Sequence, residues 1–126
     1  MKILFLDDNI NRKEVFFTSC RERHPGATLR WVSTAQECIE SLKEDWDYIC
    51  LDHDLGGEIF VSPEEENSGS AVVRWIKNNK EVVPQNALYI VHSFNPVEAN
   101  NMTQDLNKLG FKTRRIPLGY SLLGAI

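Results

Sequence analysis

The sequence predicts an α/β fold: one domain over residues 1–126, built on a doubly wound parallel sheet of five strands in the order 2-1-3-4-5. Two observations predict it. Short apolar runs alternate with segments whose apolar residues recur at helical spacing. Asp, His, Asn and Arg collect directly after those runs, at the carboxyl edge where an open parallel sheet binds its ligands.

The strands are the apolar runs at 3–6, 27–32, 47–51, 87–91 and 112–116. The first, third and fourth are nearly continuous, as suits parallel strands covered on both faces. A first helix follows Asp7-Asp8-Asn9 and ends before Pro25-Gly26. The second carries the stripe Ala35, Cys38, Ile39 and Leu42, with Ser33 and Gln36 as its capping box. Asn67 or Ser68 caps the third. For the fourth, Asn95, Pro96 and Glu98 are N-cap, N1 and N3, Ala99, Met102, Leu106 and Leu109 form the stripe, and Gly110 closes it as C′. The tail has room for a short helix from Tyr120 to Ile126. Gly56 to Asn67 is a longer connection than the ~2–6 residues usual after a strand, and long ordered loops tend to be functional.

Composition narrows the functional classes. With 126 residues, 42% of them hydrophobic and 25% charged, the chain can bury one proper core and is not a disordered segment. Lys and Arg number 14 against 18 Asp and Glu, a net charge of −4, which argues against an extended DNA- or RNA-gripping surface. A small phosphorylated nucleotide held at a local site remains compatible. No apolar run approaches the length of a membrane span, and Asp7 and Asp8 interrupt the signal-like start Met1–Leu6. Three cysteines without CxxC spacing read as reduced core thiols, so the expected compartment is the cytoplasm.

The strand ends carry the candidate chemistry. Strand one runs into Asp7 and Asp8, strand three into Asp52, His53 and Asp54, strand four into His92, Ser93 and Asn95, and strand five into Arg114 and Arg115. In the order 2-1-3-4-5 the first three groups are neighbours. Asp7, Asp8 and Asp52 at one edge repel each other unless a cation sits among them, and an all-oxygen ligand set favours Mg²⁺ or Mn²⁺. The plainer alternative makes Asp7 or Asp8 a cap of the first helix. His53 and His92 are candidate acids, bases or ligands beside those carboxylates, with Asp54 as a further proton acceptor, against the alternative of loop histidines with satisfied hydrogen bonds. Ser93, Asn95 and Arg115 are candidate phosphate contacts, Asn95 being a helix cap first and the arginines an equally good solvated pair on an edge strand. His24, before Pro25 at the opposite edge, has no role. Glu64, Glu65 and Glu66 read as a solvated loop tip, and Trp31, Trp46 and Trp75 as packing residues.

With Asp7-Asp8 after strand one, Asp52 after strand three and Ser93 after strand four, the chain resembles the receiver domains of two-component response regulators. That resemblance implies a divalent metal on the acidic residues and phosphorylation of Asp52. It departs where receivers place a lysine after strand five, since this chain has Arg115-Ile116-Pro117. Asp52-His53-Asp54-Leu55-Gly56 together with His92-Ser93-Phe94-Asn95-Pro96 is similar to a narrower family, the cyclic-phosphate-processing receiver domains. This second resemblance implies a metal-dependent phosphoesterase that opens or removes a cyclic phosphate on a nucleotide or RNA end. The alternatives are a single-domain receiver phosphorylated on Asp52 and a non-catalytic phosphate-binding module.

Overall fold

The computed structural model describes residues 1–58, 60–93, 95–116, 124 and 126. Its elements are β1 (Lys2–Leu6), α1 (Ile10–Arg23), β2 (Thr28–Val32), α2 (Ala35–Ser41), β3 (Tyr48–Leu51), α3 (Gly69–Asn78), β4 (Leu88–Val91), α4 (Pro96–Lys108) and β5 (Lys112–Arg115). All five strands run parallel in the order β2-β1-β3-β4-β5, as predicted. The helix expected from Tyr120 to Ile126 falls on residues outside those described. Register sets Leu6 beside Leu51 and Leu51 beside Val91, so the carboxyl ends of β1, β3 and β4 are level.

The sheet separates two apolar layers, with strand residues alternating between them. Leu4, Leu6, Ile49, Leu51, Tyr89 and Val91 pack under α2, α3 and α4. Ile3, Phe5, Cys50 and Ile90 face Phe16, Phe17 and Cys20 of α1. The three cysteines are free and buried, as their apolar surroundings predicted. Among the described residues no helix is long and apolar enough to cross a membrane.

The caps decide which polar residues are left for a site. Asn9, rather than either aspartate, is the N-cap of α1, its Oδ1 accepting from Arg12 N–H, and this releases Asp7 and Asp8 from the capping alternative. The cap of α2 stands one residue later than Ser33 and Gln36 predict. Thr34 Oγ1 accepts from Glu37 N–H, and Glu37 Oε1 accepts from the hydroxyls of both Thr34 and Ser33. Ser68 caps α3, while Asn67 Oδ1 accepts from Ala35 N–H and ties the long loop to α2. Asn95 caps α4 with Pro96 in its first turn, and Gly110 takes the positive φ of +93° that the C′ position requires.

Candidate functional site

β1 delivers Asp7 and Asp8, and β3 delivers Asp52. One ligand oxygen from each lies within 4.8 Å of the others. Asp7 is fully buried and Asp52 nearly so. Three carboxylates this close need a counter-charge, and it comes from Arg12, a residue absent from the sequence-based candidates. Arg12 Nε donates to Asp7 Oδ2 at 2.9 Å and Nη2 donates to Asp7 Oδ1 at 2.8 Å, a bidentate pair. The same Nη2 stands 3.6 Å from both Asp8 Oδ1 and Asp52 Oδ2, too far for a hydrogen bond. The signal was available: once α1 begins at Ile10, Arg12 is one turn beyond Asp8.

That compensation is incomplete at Asp52. Its Oδ1 accepts from His53 N–H, but its buried Oδ2 has no hydrogen-bond partner among the described residues. Burial, with Asp7 and Asp8 alongside and Arg12 only partly offsetting them, pushes the Asp52 carboxyl up to about 8. Asp54, two residues on, is likewise buried. Its Oδ1 accepts from Val61 N–H, and its Oδ2 is also unpartnered among the described residues. Asp52, Asp54, Asp8, Asn9, Arg12, Gly57 and Glu58 line one cleft of about 170 Å³.

His53 stands beside Asp54, its Nε2 3.9 Å from Asp54 Oδ1. Its fully buried ring has both nitrogens engaged: Nε2 donates to the Val61 carbonyl at 2.8 Å, and Nδ1 accepts from Ser70 N–H at 3.2 Å. The ring thus fastens the loop and the start of α3 to the end of β3. His92 is closer to the carboxylates, with Nδ1 3.7 Å from Asp7 Oδ2. It stacks almost parallel on Phe5, and Nε2 reaches the Leu6 carbonyl at 3.2 Å. Burial pushes its pKa down to about 4, outweighing Asp7, so the ring is neutral and sits beneath Asp7 as a packed support.

The candidate phosphate contacts are distributed differently. Ser93 Oγ accepts from Asn95 N–H, leaving its own proton to donate, while Asn95 Oδ1 is occupied at Glu98 N–H. Arg115 Nη1 donates to Asn100 Oδ1 on α4 at 2.8 Å, so its guanidinium is held against that helix, and Arg114 is exposed.

The loop after β3 is tied both to Asp8 and to the start of α3. Asp54 bridges Ser68, and Gly57, at φ +79°, donates its N–H to Asp8 Oδ2 at 2.6 Å. Sequence reasoning also passed over Gly69 and the indole of Trp31. A Cβ on Gly69 would lie 2.1 Å from the Asp52 carbonyl and 2.7 Å from His53 Cα, so only glycine lets α3 begin against the chain that carries Asp52. Trp31 Nε1 donates to the Asp7 carbonyl at 2.7 Å and pins the end of β1. The orphaned buried Asp52 Oδ2 and an all-oxygen donor set of three carboxylates fit a hard divalent cation of the Mg²⁺ or Mn²⁺ kind.

Among solved structures, the chain is similar to a response regulator from Burkholderia pseudomallei with a phosphorylated aspartic acid, calcium ion and citrate (15% identity, TM-score 0.70, covering 98% of this chain and 63% of that one). It is also similar to a CheY-like receiver domain protein from Methanospirillum hungatei JF-1 (13%, TM-score 0.68, 98% and 86%). A third is the response regulator TrrA from Thermotoga maritima in complex with Mg²⁺ and BeF (17%, TM-score 0.66, 98% and 93%). At these identities the likeness carries the receiver fold alone. No curated protein matches the chain. The sequence profile of the cyclic-phosphate processing receiver domain matches residues 2–108, from the start of β1 to the end of α4. With the sheet order and the acidic strand ends that go with it, the chain belongs to the cyclic-phosphate processing receiver domain family.

Proposed function

We propose that this protein is a divalent-metal-dependent phosphoesterase that opens a cyclic phosphate on a small nucleotide or an RNA end. The observation that carries the reading is the second buried carboxylate. Phosphorylation of a receiver asks for one acceptor aspartate, whereas this cleft also presents Asp54, whose Oδ2 has no partner among the described residues. Asp7, Asp8 and Asp52 would hold the cation, which would supply Lewis acidity and make a water more acidic. Asp54 accepts the proton of the attacking water as its oxygen bonds to phosphorus, and the ribose oxygen leaves with a proton from solvent at the open side of the cleft.

His53 and His92 are given holding roles on this reading: His53 fastens the loop, and His92 packs on Phe5 and is tied to the Leu6 carbonyl. Arg115, engaged on Asn100, is left out of the reaction. The cleft of about 170 Å³ is smaller than the ~300–1,000 Å³ of a pocket enclosing a whole small-molecule ligand, so it takes the phosphate end while the rest of the substrate lies outside. The net charge of −4 agrees with a small or terminal substrate rather than a long duplex.

The test is a screen of nucleoside 2′,3′- and 3′,5′-cyclic phosphates and cyclic-phosphate RNA ends with Mg²⁺, with Mn²⁺ and with EDTA. Metal-dependent opening should fall on the order of 10²–10⁴-fold in Asp54→Asn, the range for loss of a general base. Absence of turnover, together with stoichiometric labelling of Asp52 by acetyl phosphate, would replace this reading by that of a signalling receiver.

A further inference from the structure

Arg12 occupies the position where a cation would serve all three carboxylates. Its Nη2 is bonded to Asp7 and equidistant, at 3.6 Å, from Asp8 and Asp52. Yet the group is not locked there. Its side chain is 39% exposed while Asp7 is fully buried, so it enters the centre from the solvent side. It comes from the first turn of α1, whose start is fixed independently by the Asn9 cap, so the side chain can leave without moving the helix. It also fails to complete the centre, since Asp52 Oδ2 stays buried without a hydrogen bond among the described residues. A guanidinium is planar and directs its donors along fixed lines, so one fork that satisfies Asp7 cannot satisfy three carboxylates at once. A compact divalent ion has no such restriction. Finally, Arg12 lines the same cleft as Asp54 and Gly57, so a guanidinium withdrawn from Asp7 is still at its wall.

We propose that Arg12 is a tethered cation with two positions: it neutralises the three-aspartate centre when no metal is bound, and a divalent ion displaces it onto the phosphate group in the cleft. Arg12 is then a determinant of both metal affinity and anion binding. This rests on the metal-centre part of the function proposed above and is independent of hydrolysis, because neither half requires turnover.

The experiment measures Mn²⁺ binding by calorimetry to the intact protein and to Arg12→Gln, then inorganic phosphate binding to each at saturating Mn²⁺. Removing the competitor should tighten Mn²⁺ by about tenfold or more, and removing the clamp should weaken phosphate by about tenfold or more, each the weight of a charge-assisted hydrogen bond. Arg12→Lys, which keeps the charge and loses the fork, should lie between the two in both measurements. A variant-free readout is the Arg12 Nε–H resonance, protected by its bond to Asp7 Oδ2. Saturating Mg²⁺ should shift it and expose it to solvent exchange. An Nε–H signal unchanged by Mg²⁺, an Mn²⁺ affinity equal to or below that of the native protein in Arg12→Gln, unchanged phosphate binding, or no Mn²⁺ binding by either protein would each overturn the proposal. Displacement of Arg12 with no turnover of any cyclic phosphate would overturn the hydrolase reading and leave this one standing.

Discussion

At the scale of single residues, Asp52 and His92 bias the pH dependence of folding in opposite directions. Burial pushes His92 down to about 4 from its ordinary 6.5. Between those values the unfolded chain takes up a proton that the folded chain refuses, so its contribution is complete above pH 6.5 and is lost as the pH falls toward 4. Asp52 is pushed up to about 8 from 3.8, and there the folded chain keeps a proton that the unfolded chain releases. Its contribution therefore worsens as the pH rises from about 4 to 8 and is constant above that. The two slopes oppose one another between pH 4 and 6.5. In EDTA, the stability of Asp52→Asn relative to the native protein should accordingly climb from pH 4 to 8, by on the order of a few kcal/mol. Urea denaturation at stepped pH measures this, and a difference independent of pH would mean that Asp52 is ionised throughout. The residues of this pair were legible in the sequence because both follow apolar runs that end at the same edge. Their roles were less so. His53 and Asp54 follow the same strand as Asp52, but the contacts that engage both nitrogens of the His53 ring and leave Asp54 Oδ2 unpartnered among the described residues are made with Val61 and Ser70, which no local pattern places there. Arg12 is on a helix, where nothing in the strand-end argument directs attention.

At the scale of elements, the site depends on how the connection from β3 to α3 is fastened. Three devices hold it: the His53 ring between Val61 and Ser70, the Asp54–Ser68 bridge, and Gly69 packed on the backbone of Asp52 and His53. His53→Ala would leave the Val61 carbonyl and the Ser70 amide without their ring partner, at about 1–3 kcal/mol for each group left buried and unpaired. Amide exchange should quicken over residues 60–70 in this variant and stay native in His24→Ala, whose imidazole belongs to the C-cap of α1. Equal exchange in the two variants would remove the fastening role. Gly69→Ala meets backbone rather than a flexible side-chain end, so Asp52 or α3 must shift. We expect a loss of about 1–3 kcal/mol together with weaker Mn²⁺ binding, and a variant with native metal affinity would show that the strand end absorbs the methyl without moving Asp52. The sequence marked this loop as unusual by its length alone. What the loop does was hidden, because Val61, Ser70 and Gly69 acquire their roles from a tertiary juxtaposition that no local pattern encodes. The α2 cap shows a milder case: Ser33 and Thr34 both offer a hydroxyl, and the winner is the one with Glu37 three residues ahead.

At the scale of the whole molecule, the topology followed from the order of apolar runs, since β-α alternation and right-handed crossovers leave few arrangements for a chain of this length. Each described strand lies within one residue of its apolar run, the scatter expected where strand ends fray out of the ladder. That topology brings three aspartates from two strand ends together at the expense of stability. Asp52 is held in a setting that disfavours its charge, and Arg12 relieves the centre only in part. A divalent ion that binds the folded centre and not the unfolded chain should therefore stabilise the whole fold by mass action, by about 2.7 kcal/mol at a hundredfold excess over Kd. For a domain of this size that corresponds to a rise in Tm of roughly 10 °C. The variants should separate the contributions at pH 8. Asp52→Asn should start from a higher Tm in EDTA and gain little from Mn²⁺, having lost both the repulsion and a ligand. Arg12→Gln should start from a lower Tm, because Asp7 and its neighbours lose their counter-charge, and should gain more than the native protein. If the two variants and the native protein shift equally, the ion is bound elsewhere and the three-aspartate centre is only an electrostatic feature of the fold. If the gains fall in the order Arg12→Gln, native, Asp52→Asn, the strain stored at the sheet edge is the same interaction that recruits the metal.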